Sequence, residues 1–164
     1  MIFIALGANL PSVEHGSPRQ TLEKAIEALE GKGITCLTRS HWYESAPVPP
    51  SGQPNYINGV ISIRTKAKPA ELLAILHEVE AEFGRVRQVR NEARVLDLDL
   101  IDYAGEVLRG QAGPELPHPR MQDRSFVLLP LQDIAPDWCH PETGQTIAEL
   151  LAGLSGTDDI KVVV

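Results

Sequence analysis

Strand-like and helix-like segments follow one another along this chain in an order that few folds share. A continuous apolar run over residues 2–6 predicts a first strand that is buried on both faces. Ser17, Pro18 and Gln20 supply an N-cap, a first-turn proline and a capping box, so they predict a helix start. Gly31 is suited to end that helix.

The pattern then continues with two strands, a helix and a strand. Residues 34–45 and 56–65 predict two strands, and the proline-rich residues between them cannot continue a ladder. Pro69 begins a second helix, and a further strand covers about residues 96–103. The order β-α-β-β-α-β is typical of the ferredoxin-like arrangement. We therefore expect an α+β protein with an antiparallel sheet and helices packed on one face.

Length and charge exclude several classes of protein. A chain of 164 residues predicts one domain, residues 1–164, and a capping box at Thr146 and Glu149 predicts a short C-terminal helix. The net charge of −7 argues against nucleic acid or membrane partners, and no apolar run reaches the ~20 residues of a membrane span. Without a secretion signal, Cys36 and Cys139 predict reduced thiols in a cytoplasmic protein.

Two aspartates lie two residues apart in the last predicted strand. Period-two alternation places Asp97 and Asp99 on one face, while Leu96, Leu98 and Leu100 point into the core. Side-by-side carboxylates repel one another, and a divalent cation with hard oxygen ligands would relieve that repulsion. The alternative interpretation is an ordinary solvated face that happens to carry two acids.

Arginines are concentrated around this pair. Six of the ten arginines lie in residues 85–94 and 120–124, and neither segment contains a lysine. The guanidinium group is a permanently charged fork that matches phosphate oxygens, so the cluster predicts a site for a metal-bound polyphosphate. The alternative is a set of surface ion pairs with nearby acids, namely Glu78, Glu80, Glu82 and Glu92.

A second group of residues is suited to a flat heterocycle. Tyr56 and Asn58 share a strand face by period two, and Phe126 follows the second arginine segment. An aromatic ring offers a stacking surface and an amide offers a paired donor and acceptor. The alternative interpretation is that Tyr56 and Phe126 are ordinary core residues. His118 differs from the other histidines because it neighbours the arginines.

Several longer segments, in the same order along the chain, resemble one known family. They are Ile4-Ala-Leu-Gly-Ala-Asn-Leu, Tyr43-Glu-Ser-Ala-Pro-Val, Gln53-Pro-Asn-Tyr-Ile-Asn-Gly, Gly84-Arg-Val-Arg, Arg94-Val-Leu-Asp-Leu-Asp-Leu and Pro117-His-Pro-Arg-Met with Arg124-Ser-Phe-Val-Leu-Leu-Pro-Leu. Together they resemble the 6-hydroxymethyl-7,8-dihydropterin pyrophosphokinases and cover most of the chain.

The resemblance implies an ATP-dependent diphosphotransferase of folate biosynthesis. The β,γ-diphosphate of ATP would pass to the hydroxymethyl group of 6-hydroxymethyl-7,8-dihydropterin, leaving AMP. The resemblance also implies two Mg²⁺ ions and a monomer. The competing hypothesis is a non-catalytic, ferredoxin-like module that binds or senses a metabolite.

The resemblance also implies which residues form the site. The catalytic group would be Arg85, Arg94, Asp97 and Asp99, with the two aspartates holding metal and either one a candidate acceptor for the hydroxyl proton. Contacts with ATP would come from Glu80, Arg87, Leu100, His118 and Arg124. The pterin would lie against Ser45, Ala46, Val48, Tyr56, Asn58 and Phe126.

Overall fold

The computed structural model describes residues 1–47, 52–84, 95–110 and 113–163. In these residues the strands are β1 (Ile2–Ala8), β2 (Thr35–Arg39), β3 (Tyr43–Ser45), β4 (Tyr56–Arg64), β5 (Asp97–Tyr103) and β6 (Lys161–Val162). The helices are α1 (Pro18–Glu30), α2 (Pro69–Glu82), α3 (Ser125–Ile134) and α4 (Ile147–Ala152). Two 3-10 turns are also present in these residues: Met121–Asp123 leads into α3, and Thr157–Asp159 precedes β6.

Helix α1 begins where the local sequence predicts. The Ser17 hydroxyl accepts a hydrogen bond from the Gln20 backbone N–H at 3.2 Å, and the Ser17 N–H donates to Gln20 Oε1 at 2.9 Å. This reciprocal pair provides acceptors for two backbone N–H groups that have no partner within the helix. Thr146 and Glu149 form the same arrangement at the start of α4. Both predicted capping boxes are confirmed.

The strands form one antiparallel sheet in the order β5-β1-β4-β3-β6, and β2 also pairs with β4. Strand β1 therefore lies between β4 and β5. Its register places Gly7 opposite both Asn58 and Asp97, and Ala5 opposite both Val60 and Asp99. Residues that are directly opposite in a sheet share a face, so this register decides which side chains can meet.

The sheet has a hydrophobic core on each side. On one face, Ile4 and Leu6 pack with apolar residues of α1 and α2. On the other face, Phe3 and Ile101 pack with residues of α3 and α4, including Val127. The expected ferredoxin-like α+β class is confirmed, with α1 and α2 on one face. The layer formed by α3 and α4 covers the opposite face and was not predicted from the sequence pattern.

Three local features differ from the sequence-based expectations. Strand β1 continues through Ala8 rather than stopping at residue 6, because its pairing with β4 extends to Ile57. The single strand expected at 34–45 is divided into β2 and β3. Between them the Ser40 hydroxyl accepts from the Val60 N–H at 2.9 Å, while the Trp42 ring packs over Gly59. Helix α3 was missed.

In the described part of the chain, none of the helices combines the length and the apolarity needed to cross a membrane. Cys36 and Cys139 are both free thiols.

Candidate active site

Polar side chains from neighbouring strands meet on the sheet face that α3 covers. Asp97 and Asp99 lie on this face together with Asn58, because they share the register of Gly7 and Ala5. On the opposite face the leucines that alternate with the aspartates are at most 3% exposed. The prediction that the two carboxylates face one way and the leucines face the core is therefore correct.

Because Gly7 has no side chain, the Asn58 side chain can lie next to it on this sheet face. A Cβ atom at Gly7 would lie 2.6 Å from Asn58 Oδ1, closer than atoms in contact can approach. The Asn58 side chain is 7% exposed, and its Nδ2 donates to the Ser45 hydroxyl at 3.3 Å. Gly7 was not among the site residues predicted from the sequence. A glycine inside a strand is itself a signal of close approach by another group.

The start of α3 brings a cation and an aromatic ring to the same face. Arg124, the residue that precedes α3, places Nη1 3.7 Å from Asp99 Oδ2. Its guanidinium carbon lies 5.6 Å from the centre of the Phe126 ring. Both side chains of the ion pair keep about a quarter of their surface exposed, at 25% for Arg124 and 28% for Asp99. The pair is therefore accessible to a ligand.

The other end of α3 is tied to β3. The Tyr43 hydroxyl donates to Asp133 Oδ1 and Oδ2, at 2.9 Å each, and the His41 backbone N–H donates to Oδ2 at 3.2 Å. Burial of the Tyr43 hydroxyl and its hydrogen bond to Asp133 raise the pKa of Tyr43 to about 12. The contact holds the helix that carries Phe126 over the strand that carries Ser45.

His118 lies beside the charged groups and is uncharged at neutral pH. Burial, reinforced by the positive charge of Arg124 and opposed by Asp97, lowers the His118 pKa to about 4. Its Nδ1 accepts the Arg120 backbone N–H at 3.2 Å, so the ring proton is on Nε2. The His118 backbone N–H donates to the Ile101 carbonyl at 2.9 Å and so attaches this segment to β5.

A polar cavity borders His118. Its volume is about 260 Å³, and its lining includes Gln122, His140 and Glu142. Glu142 forms an ion pair with Arg109, which also lines the cavity. His118 therefore has polar space on one side and the Arg124 and Asp97 charges close enough to affect its pKa.

Two of the residues expected to contact ATP have buried side chains. Glu80 is 1% exposed, and its Oε2 accepts the backbone N–H of Leu98 at 2.8 Å. Leu100 is 3% exposed and belongs to the core between the sheet and the helices α1 and α2. In this arrangement a contact from Leu100 to a nucleotide would use its backbone. Glu80 supports β5 through its hydrogen bond with the Leu98 backbone.

The remaining expected residues divide between the site and the part of the chain that is not described. Ser45 and Tyr56 are register partners on the face of Asn58, and Ala46 follows Ser45 at the end of β3. The other predicted residues, Val48, Arg85, Arg87 and Arg94, lie outside the described residues. The structure thus brings together Asp97, Asp99, Asn58, Arg124 and Phe126 on one sheet face.

The donor set of this face fits magnesium. Mg²⁺ is commonly held by one or two carboxylates, with water and substrate phosphates completing its shell. Asp97 and Asp99 supply two carboxylates on one face, and Asp99 is partly exposed. Among the described residues no group of three or more His, Cys, Asp or Glu side chains is arranged around a metal position. A cation here would therefore need further oxygens from water or from a bound substrate.

Comparison with known proteins assigns the family. A ferredoxin-like sheet with carboxylates, arginine and an aromatic ring on one face places the chain among α+β proteins with a polar, partly charged ligand site. The family model for 7,8-dihydro-6-hydroxymethylpterin-pyrophosphokinase matches residues 3–136. The chain belongs to this family, and the resemblance described in the sequence analysis is confirmed.

Individual relatives agree with this assignment. The chain is 43% identical to the 2-amino-4-hydroxy-6-hydroxymethyldihydropteridine pyrophosphokinase of Synechocystis, over 90% of this chain and 73% of that protein. It is 41% identical to the protein of the same name from Pseudomonas aeruginosa, over 92% of this chain and 90% of that protein. The crystal structure of wild-type Plasmodium falciparum HPPK-DHPS matches with a TM-score of 0.69 at 13% identity, over 92% of this chain and 44% of that one. The structural match shows the shared fold.

Proposed function

We propose that this chain transfers the β,γ-diphosphate of ATP to the hydroxymethyl group of 6-hydroxymethyl-7,8-dihydropterin. The hydroxymethyl oxygen loses its proton, for which Asp97 or Asp99 is the candidate acceptor, and forms a bond to the β-phosphorus of ATP. The bond from that phosphorus to the bridging oxygen of the α-phosphate breaks, and AMP leaves. Membership of the pyrophosphokinase family supports this reaction, and so does the carboxylate pair Asp97 and Asp99, of which Asp99 lies beside Arg124.

Asp97 and Asp99 are proposed to hold magnesium. Bound Mg²⁺ would neutralise phosphate charge, which is the main requirement of phosphoryl transfer. The resemblance predicts two ions, and the two carboxylates lie two residues apart on β5. Asp99 has a second role in the free protein, because it neutralises Arg124 at 3.7 Å. Binding of the triphosphate would give that arginine a stronger partner.

Arginine and histidine side chains are proposed to orient the triphosphate. Arg124 supplies a planar fork of donors that matches phosphate oxygens. His118 is neutral above its pKa of about 4 and presents an Nε2–H donor to a phosphate or ribose oxygen. Arg85, Arg87 and Arg94 are assigned to the same task on the resemblance alone. Glu80 is proposed to act from below, through the backbone of β5.

The pterin is proposed to lie over Asn58, with Tyr56 and Phe126 beside it. Asn58 is held by Ser45 and offers an amide edge that can match the donors and acceptors of a pterin ring. Phe126 offers a stacking face on the opposite element, α3. Ala46 and Val48 would form the rim. The pterin and the metal would then lie near each other, because Asn58 and Asp97 are both register partners of Gly7, on the two strands that flank β1.

An assay of products tests the proposal. Purified protein is mixed with Mg²⁺, ATP and 6-hydroxymethyl-7,8-dihydropterin, and the nucleotides are separated. AMP that appears only when the pterin is present supports diphosphoryl transfer, whereas ADP would indicate transfer of one phosphoryl group. Pterin binding without any nucleotide turnover would favour the metabolite-binding module instead. We further propose that the chain forms a single domain, is a monomer and acts in the cytoplasm.

A further inference from the structure

Asn9 is a buried polar side chain to which the proposed chemistry gives no role. It follows β1 directly and is 0% exposed. A buried amide is costly unless its hydrogen bonds are made. Asn9 Nδ2 donates to Gln53 Oε1 at 3.1 Å and to the Pro54 carbonyl at 3.2 Å. Two donors of one buried amide are therefore used to hold a segment more than forty residues away.

That segment leads into the proposed pterin pocket. Gln53 Oε1 accepts a second hydrogen bond, from the Tyr56 hydroxyl at 3.3 Å. Tyr56 is the first residue of β4 and the register partner of Ser45. One amide oxygen thus connects Asn9 to the aromatic side chain at the edge of the pocket.

We infer that Asn9 is a positioning residue for the pterin: it holds Gln53, and through Gln53 it holds the Tyr56 ring. This inference rests on the proposed function, since it assumes that the pterin lies against Tyr56. These three hydrogen bonds join the end of β1 to residues 53–56, and none of the three includes Arg124 or His118. We therefore expect the loss of Asn9 to weaken pterin binding much more than nucleotide binding.

Asn9 is the donor in both hydrogen bonds, so a variant without a donor at this position tests their role directly. In Asn9→Asp the side chain keeps its shape but offers only acceptors, facing the acceptor oxygens of Gln53 and Pro54. If the Gln53 amide turns to donate to the new carboxylate, the Tyr56 hydroxyl loses the acceptor that it now has, and the Pro54 carbonyl still faces a carboxylate oxygen without a donor. Either outcome disturbs the hydrogen bonds that hold residues 53–56.

The test measures two affinities for each variant by calorimetry. The pterin is titrated in the presence of Mg²⁺ and an unreactive ATP analogue, and the analogue is titrated separately. For Asn9→Ala and Asn9→Asp we expect the pterin Kd to rise about tenfold, with the analogue Kd within about twofold of the parent. Asn55→Ala is the matched control, since that exposed asparagine of the same segment donates only to Glu44 among the contacts observed; its pterin Kd should not change.

Two variants of Gln53 keep the test decisive if the Asn9 variants do not fold. Gln53→Leu removes the shared acceptor, so the pterin Kd should rise as in the Asn9 variants. Gln53→Glu keeps an acceptor for both Asn9 and Tyr56, so the pterin Kd should stay within about threefold of the parent. If Asn9 and Gln53 had only a structural role, their variants would lower thermal stability but would change the pterin and analogue affinities alike. Gln53→Leu and Gln53→Glu would then not differ in pterin affinity.

Phe126→Ala separates this inference from the proposed function. Pterin affinity that is unchanged in the Asn9 variants, or equal in Gln53→Leu and Gln53→Glu, overturns the positioning role. Pterin affinity that is unchanged in Phe126→Ala overturns the proposed pocket instead. Weakening in Phe126→Ala and in the Asn9 variants, with nucleotide affinity preserved, supports both.

Discussion

The Glu80 carboxylate accepts a hydrogen bond from the backbone N–H of Leu98 at 2.8 Å, midway between Asp97 and Asp99 in the chain. Strand β5 is at the edge of the sheet, so within the described part of the chain its outward N–H groups have no neighbouring strand. A buried N–H without a partner is costly. Glu80 therefore satisfies the backbone of β5 at the point where the strand presents its two aspartates.

The first prediction concerns this contact. Glu80→Ala leaves a cavity and an unpaired N–H, so it should lower the free energy of unfolding by about 2–4 kcal/mol. Glu80→Gln keeps an acceptor oxygen and should lower it by less than half as much. Urea denaturation of the parent and the two variants measures both values. Equal losses in the two variants would show that the Leu98 hydrogen bond is not what Glu80 contributes.

The second prediction concerns the carboxylate pair. Asp97→Asn and Asp99→Asn should each lower kcat by about 100-fold at saturating Mg²⁺, the scale of losing one preorganised electrostatic contact. Folding should persist, since two like charges on one strand face repel one another. Asp123→Asn is the control, because that aspartate is exposed in the turn before α3. AMP formation is measured for all three, and near-parental turnover in both site variants would contradict the metal assignment.

The third prediction concerns Arg124. Its guanidinium group lies near Asp99 and over the Phe126 ring, so charge and planarity both matter. Arg124→Ala should raise the KM for ATP by about tenfold or more. Arg124→Lys should restore only part of this loss, because an ammonium group lacks the planar fork. Steady-state kinetics with varied ATP measures the effect; full activity in Arg124→Lys would mean that only a point charge is needed.

The sequence predicted those parts of the molecule that depend on nearby residues. The capping boxes at Ser17 and Thr146 join residues three apart, and the common face of Asp97 and Asp99 follows from strand periodicity. Helix α3 was missed because Pro130 lies inside it and its N-cap is Arg124, which makes no side-chain capping bond.

Other features depend on contacts that a linear pattern does not contain. The break between β2 and β3 follows from Trp42 packing over Gly59, seventeen positions later in the chain. The meeting of Asn58 and Asp97 requires the register of β1 with both neighbours. The role of Asn9 requires its contacts with Gln53 and Pro54. Residue types could suggest each group separately but could not show which of them meet.

The fourth prediction contrasts two glycines. A Cβ at Gly7 would meet the end of the Asn58 side chain at 2.6 Å, whereas a Cβ at Gly59 would meet the Trp42 ring at 2.5 Å. Gly59→Ala should therefore destabilise the fold by about 1–3 kcal/mol, since the packed ring has no room to move. Gly7→Ala should instead raise the pterin Kd by displacing Asn58. Urea denaturation and pterin titration of both variants test the contrast, which fails if Gly7→Ala binds pterin normally.

The fifth prediction concerns pH and His118. Its pKa is about 4 in the folded protein and near 6.5 in an unfolded chain, so the unfolded state binds more protons between these values. The stability that His118 contributes is therefore present above pH 6.5 and is lost as the pH falls toward 4. Urea denaturation at pH 7 and pH 5 should show a smaller decrease for His118→Gln than for the parent protein. The His118 ring resonances in NMR should also stay constant from pH 7 to pH 5.5. A titration midpoint near 6.5 would contradict the burial of this ring beside Arg124.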